Sequence, residues 1–235
     1  MICFAFPLAH EAELLVKACT EREQFEIHGL HCTLGDLGSR RVLIARIGMG
    51  EAAAADKTET IFQYFRLKAL ILSGYGGALV PALKVGQVLV STNYSSEAVV
   101  GFLRMFQGFD FANFVTVDEV VATREARESL AHSADAQVVD METDTVANVV
   151  SEHRIPFLAV RAISDAFDHV LPAGALAAGF DVQRGQPTPG RLLAYLAKHP
   201  GEIDPFRKFV GNIGAARRNL TRFLQTLNNE LPAGW

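Results

Sequence analysis

Four short runs in this chain are apolar at nearly every position rather than at every second one: MICFAF (1–6), VLIARI (42–47), ALILSG (69–74) and FLAVRAIS (157–164). A strand with one wet face alternates. A strand that is apolar throughout is covered on both faces, as in a parallel sheet held between helices. Three further runs, QVLVST (87–92), FVTV (114–117) and AQVVD (136–140), have strand composition. Between the runs, residues 9–20, 50–65, 124–133 and 143–154 carry helical spacing. The alternation predicts an α/β fold: a single-domain, three-layer α/β/α arrangement around a central mixed, largely parallel sheet.

One domain over residues 1–235 suits this length. The pattern changes after Pro172, where PAGALAAGFDVQRGQPTPG reads as a surface excursion rich in Gly, Ala and Pro. A C-terminal helical extension, about 188–230, follows it. From Asp204 a long helix places Phe206, Phe209, Val210, Ile213, Leu220, Phe223, Leu224 and Leu227 on one stripe. Its other faces carry Arg207, Lys208, Arg217, Arg218 and Arg222 against Asp204 and Glu230. Such a helix either packs as an outer helix with a solvated face or makes a weak membrane contact through 204–230.

Composition narrows the partners. A net charge of −4 gives no general pull toward nucleic acid. Cys3, Cys19 and Cys32 form no CxxC pair and have no neighbouring His pair, so they read as reduced core thiols; no metal site is expected. The first residues lack a basic leader region and reach a carboxylate at Glu11, which favours a first strand over a signal peptide. No apolar stretch approaches the roughly 18–20 residues of a membrane span. The expected location is cytoplasmic.

In open α/β sheets the functional crevice lies beyond the carboxyl ends of the strands. Glu11, SGYGGAL (73–79), DMET (140–143) and RAISDAFD (161–168) all fall there. Taken singly, most have plain explanations. Glu11 could serve a helix dipole, GYGG could be a tight turn, and Asp140 could cap a helix. Arg161 resists such a reading, because a charge inside an apolar strand must be paired.

Longer stretches carry a resemblance. IGMGEAAAADKTETI, ILSGYGGALVPALKVGQVLVST and VVDMETDTVANVVSEHRIPFLAVRAISDAFD resemble, in chain order, segments of the nucleoside phosphorylase/nucleosidase superfamily. The nearest likeness is to methylthioadenosine/S-adenosylhomocysteine nucleosidases. The C-terminal third, with DHVLPAGAL, and VDEVVAT (117–123) also resemble hopanoid-associated nucleosidases. The resemblance implies roles for particular residues. Glu142 would bind the ribose hydroxyls, with Met141 packed on the sugar. Asp165 would protonate the purine near N7, and Asp140 would cap or support the site. Glu11 would activate water with help from Arg161. Tyr75, Gly76, Val120, Val121 and Ser164 would complete the substrate pocket; Tyr75, where relatives keep a small residue, would narrow the nucleophile site or lend it a hydroxyl. No cofactor is implied. The partners would be a small-molecule nucleoside and further copies of the chain, in a homodimer or higher homo-oligomer, to which the phenylalanine-rich stretch 102–114 could contribute.

The chemistry suits these residue types. Cleaving an N-ribosidic bond builds positive charge on the sugar and negative charge on the departing base, and both need relief from fixed groups. For Asp165 to hold a proton near neutral pH it must be buried or lie beside a like charge. The implied activity is a purine nucleosidase acting on an adenine-type nucleoside. A phosphorylase using inorganic phosphate and a non-catalytic nucleoside-binding protein are the alternatives. Hydrolysis is favoured because the first loop, FPLAHEAELL, has no Arg, and Leu72 stands near the place of a phosphate-binding arginine. Arg46, beside GMG, is the residue through which phosphate could still be recruited.

Overall fold

The computed structural model describes residues 1–169, 171–181 and 186–232. Its centre is built from the runs that are apolar throughout. Strand β1 (Ile2–Phe6) lies between β4 (Arg40–Arg46) and β5 (Ala69–Ala78), and β5 pairs in turn with β10 (Phe157–Asp165), all parallel. Every residue of β1 and of β10 is buried. That is the two-sided burial their composition demanded.

The sheet grows outward by antiparallel pairing. On one side β3 (Leu30–Leu37) joins β4, and β2 (Thr20–Ile27) joins β3. On the other, β6 (Val88–Ser91) runs antiparallel to β10 and carries β7 (Asp110–Ala112). Strand β9 (Val138–Asp140) crosses to the end of β5 and holds β8 (Phe114–Thr116) beside it, giving a ten-stranded mixed sheet. Strands β2, β3 and β7 are additions to the sequence-based expectation. Strand β2 reads TEREQFEI and is largely exposed, so no apolar period announces it. Charged side chains are what an edge strand carries to avoid pairing with another chain. The turn joining it to β3 has positive φ at His28 (48°) and Gly29 (74°), the two-residue turn whose twist matches a hairpin.

Helices α2 (Glu51–Tyr64) and α5 (Thr143–His153) cover one face of the sheet through Ala54, Ile61, Val146 and Val150. Helices α1 (Ala9–Ala18), α3 (Glu97–Leu103) and α8 (Ile203–Glu230) cover the other through Leu15, Val99, Leu220 and Leu224. Helix α4 (Arg124–Ala134) starts at Thr123, whose hydroxyl accepts from the Ala126 N–H at 3.2 Å.

The region after Pro172 forms α6 (Ala173–Gly179) and α7 (Pro189–Lys198); part of the expected excursion, 182–185, lies outside the described residues. Glu202 ties these helices down, accepting from the Tyr195 hydroxyl at 2.8 Å and the Ala175 N–H at 3.0 Å. In α8 the apolar stripe is largely spent on packing. Leu220, Leu224 and Leu227 are buried, and Phe223 meets Phe109 edge-on at 5.2 Å. These side chains face the sheet, and the first turns of α8 expose Ile203 and Val210. Among the described residues no helix is long and apolar enough to cross a membrane. In the phenylalanine-rich stretch, Phe102, Phe109 and Phe111 pack on the core, which leaves Met105 as its exposed apolar residue.

Candidate active site

Two polar centres form where β5 and β10 run out of the apolar core, both on residues proposed from sequence. The first surrounds Arg161. Its side chain is fully buried, so its charge needs partners, and three carboxylates supply them. Nε donates to Asp140 Oδ2 at 2.8 Å, Nη2 donates to Thr143 Oγ1 at 3.1 Å, and Nη2 lies 3.5 Å from Glu142 Oε2. Asp140, the last residue of β9, uses its other oxygen to accept from the N–H groups of Glu142 (3.2 Å) and Thr143 (3.1 Å) and from the Thr116 hydroxyl (2.8 Å). The same carboxylate therefore starts α5 and orients the guanidinium, the supporting role expected of it.

Arg161 Nη1 is different. It is buried and has no hydrogen-bond partner among the described residues. It points to the space above Gly74, where a Cβ would lie 2.8 Å from Nη1 and 2.9 Å from Glu11 Oε1. Only a glycine lets both groups approach the strand this closely. Glu11 is buried in the first turn of α1, held by N–H donors from Leu8 (2.7 Å, to Oε2) and Tyr75 (3.0 Å, to Oε1). The return bond to Leu8 is half of a capping box, so helix geometry itself aims the carboxyl at β5.

Burial raises the Glu11 pKa to about 8; Arg161 and the two N–H donors oppose the rise, and Glu142 adds to it. Burial also raises Glu142, against Arg161, with Asp140 adding to the rise and the Gly50 N–H at 3.1 Å opposing it. Burial disfavours the Arg161 charge, but Asp140, Glu142 and Glu11 outweigh that and raise its pKa. Three acids around one base leave the cluster able to hold a proton. That capacity sits beside an unused donor.

The second centre is Asp165, level with Gly77 across the β5–β10 pairing. From Gly74 to Gly77 is three residues of strand, about 10 Å. Asp165 is buried, as an acid role requires, but its partner is a cation rather than a like charge. Arg127 of α4, which the sequence reading did not single out, donates from Nη2 to Asp165 Oδ2. Ser164 donates to Asp165 Oδ1 at 2.6 Å and also contacts the Gly76 carbonyl at 3.3 Å.

The remaining expected residues are placed unevenly. Met141 is half-buried between Asp140 and Glu142. Gly76 is enclosed rather than open, since a Cβ there would sit 2.8 Å from Val138 Cγ1 and 3.3 Å from Arg161 Cβ. Tyr75 departs from expectation. Its ring packs on the α1/α8 side of the sheet, 5.5 Å from the His10 ring, and only its backbone N–H reaches Glu11. Strand alternation explains this, because Gly74 and Gly76 face Arg161 and the residue between them must point away. Val121 packs near Leu79 and Val139, whereas Val120 is 53% exposed. Leu72 is buried in β5 and brings no charge. Among the described residues no group of three or more His, Cys, Asp or Glu side chains could hold a metal ion.

Comparison with known proteins gives this arrangement a family. The Phosphorylase superfamily profile matches residues 1–113 and 110–196. The chain belongs to the phosphorylase superfamily. Solved structures of similar fold include S-adenosylhomocysteine nucleosidase from Streptococcus pyogenes in complex with 5-methylthiotubericidin, at 17% identity and a TM-score of 0.75, covering 99% of this chain and 97% of that one. A futalosine hydrolase mutant of Helicobacter pylori strain 26695 is similar at 16% identity and TM-score 0.75, over 98% and 99% of the two chains. 5′-Methylthioadenosine/S-adenosylhomocysteine nucleosidase from Neisseria meningitidis, in complex with methylthio-immucillin-A, is similar at 20% identity and TM-score 0.71, over 98% and 99%. At these identities the likeness speaks for the fold. Within the superfamily frame, Arg161, Glu11, Asp140 and Glu142 form one cluster and Asp165 stands apart from it with Arg127.

Proposed function

We propose that the protein is a purine nucleosidase that hydrolyses the N-ribosidic bond of an adenine-type nucleoside to free base and sugar. The observation that carries this reading is the pairing of Arg161 Nη1, buried and without a partner among the described residues, with the Glu11 carboxyl above Gly74. A water molecule suits that pair: the arginine donates to it and the ionised carboxylate removes its proton. A phosphate dianion suits it less. Arg161 is already shared among Asp140, Glu142 and Thr143, and the surrounding charge is acidic.

In the proposed reaction the water oxygen bonds to the anomeric carbon while the bond from that carbon to the purine nitrogen breaks. Glu11 takes the water's proton and releases it to solvent after the products leave. Asp165 gives a proton to the purine near N7, so the base leaves neutral, and Asp165 then regains its proton from solvent. Glu142 hydrogen-bonds the ribose hydroxyls, which steadies the sugar as positive charge builds on it. The named activities of the structures of similar fold support the substrate class.

The deciding experiment incubates the protein with adenosine, methylthioadenosine, S-adenosylhomocysteine, inosine and futalosine, with and without phosphate. Free base and free sugar in phosphate-free buffer are the expected products. A sugar 1-phosphate formed only with phosphate would establish a phosphorylase and turn attention to Arg46 at the end of β4. Binding without turnover in either buffer would establish a nucleoside-binding protein.

A further inference from the structure

Arg127 is the buried residue of α4, 1% exposed along its side chain. Its guanidinium makes four contacts at once. Nε donates to the Val121 carbonyl at 3.1 Å. Nη1 donates to the Ala78 carbonyl at 3.2 Å and the Ala166 carbonyl at 2.9 Å. Nη2 donates to the Asp165 carboxylate. One side chain therefore joins the 117–123 loop, the end of β5, the chain leaving β10, and the proposed proton donor.

The surroundings are arranged for this contact. A Cβ on Gly77 would lie 3.0 Å from Asp165 Oδ2, so the carboxylate rests on bare strand. The Ala166 N–H donates to His169 Nδ1 at 3.2 Å, which holds the following peptide as well. A buried ion pair is a poor way to fill space, because apolar residues of similar volume stabilise as well or better. A guanidinium is, however, the one side chain whose rigid fork of donors can meet three carbonyls and a carboxylate together; lysine cannot.

We propose that Arg127 is a positioning residue for the reaction, fixing Asp165 and the 117–123 loop as one unit so that the carboxyl meets the purine edge in a single orientation. This rests on the assignment of Asp165 as proton donor. No proton passes through Arg127.

The test is a double-mutant cycle on whichever nucleoside the wild-type protein cleaves, with Arg127→Met, Asp165→Asn, the double variant and Arg127→Lys. R127M is expected to lower kcat by about 100-fold, the scale of general acid catalysis, with KM changed by less than about threefold. The double variant should be no slower than D165N, because residues that act as a unit are non-additive. R127K should keep part of the rate. With 4-nitrophenyl β-D-ribofuranoside, whose phenolate departs without a proton, R127M should lose far less than with the nucleoside. Wild-type kcat in R127M, losses that multiply in the double variant, or equal losses on both substrates would each overturn the inference. If R127M fails to fold, the uncharged double variant and R127K carry the same comparisons. Inactivity of the wild-type protein on every nucleoside would remove the Asp165 assignment and this inference together, whereas an active wild type with an equally active R127M removes this inference alone.

Discussion

Glu11 Oε1 and Arg161 Nη1 converge on one point above Gly74, though 150 residues of chain separate them. A Cβ at that point would lie within 3 Å of each and 3.3 Å from Pro7 Cδ. The first prediction follows from this contact. Gly74→Ala should cost about 1–3 kcal/mol of stability through overpacking. Its effect on turnover should be larger, about 100-fold, because displacement of reacting groups by an ångström has that consequence. Thermal midpoints and kcat on one protein preparation check both parts, and an active G74A would separate this space from catalysis.

In the proposed reaction Glu11 must be ionised to take a proton from water, and burial pushes its pKa up to about 8. The kcat/KM profile should therefore rise with pH up to about 8. Glu11→Gln should remove that limb and lower the rate at its plateau by about 100-fold.

The same shift has a stability sign. The folded-state pKa lies above the unfolded value of 4.5, so the folded chain holds a proton that the unfolded chain has lost between about 4.5 and 8. The stabilising contribution is complete below about 4.5 and is lost as pH rises through 8. The shift bounds it at about 5 kcal/mol. E11Q should flatten the fall in thermal midpoint across that window and should be the more stable protein at pH 9. Parallel curves for the two proteins would show that Glu11 titrates normally.

Asp140 serves Arg161 and the start of α5 together. Asp140→Asn leaves a buried guanidinium short of a charge partner and should cost about 3–5 kcal/mol in urea unfolding. Thr143→Val removes hydroxyl contacts to both Asp140 and Arg161 and should cost less, about 1–3 kcal/mol.

The last helix is anchored by its apolar stripe, with Leu224 fully buried against the sheet. Leu224→Ala should cost about 2–5 kcal/mol, the range for a deleted core side chain. A loss below 1 kcal/mol would mean that α8 is docked less firmly than its burial implies.

Much of this architecture could be read from the chain because parallel strands announce themselves. β1, the first half of β5 and β10 are apolar at successive positions. The charges that end or follow such apolar runs, Glu11 after β1, Asp140 and Glu142 at the end of β9, Arg161 and Asp165 in β10, are the ones the fold brings to the two centres. The β2–β3 hairpin was illegible because an edge strand with wet surroundings keeps no apolar pattern. The direction of the Tyr75 ring is legible in the chain, because period-two alternation sends it to the face opposite its glycine neighbours. Arg127 offered no signal. It sits in REARESLAHSA, a helix that reads as solvated, and its burial depends on where β5, β10 and the 117–123 loop come together in three dimensions. Helical spacing carries no information about a partner 38 residues further along the chain.

Both polar centres are hung from the same strand, one at Gly74 and the other level with Gly77. Their separation is set by three peptide units of β5, held against β10 along that stretch and against β9 at Gly77. The strand works as a covalent ruler. Whatever molecule bridges the two centres must match that length, and sequence drift at the surface cannot reset it. Latitude in what this protein accepts must therefore lie off the ruler, beyond the strand ends, where loops rather than peptide bonds set the distances.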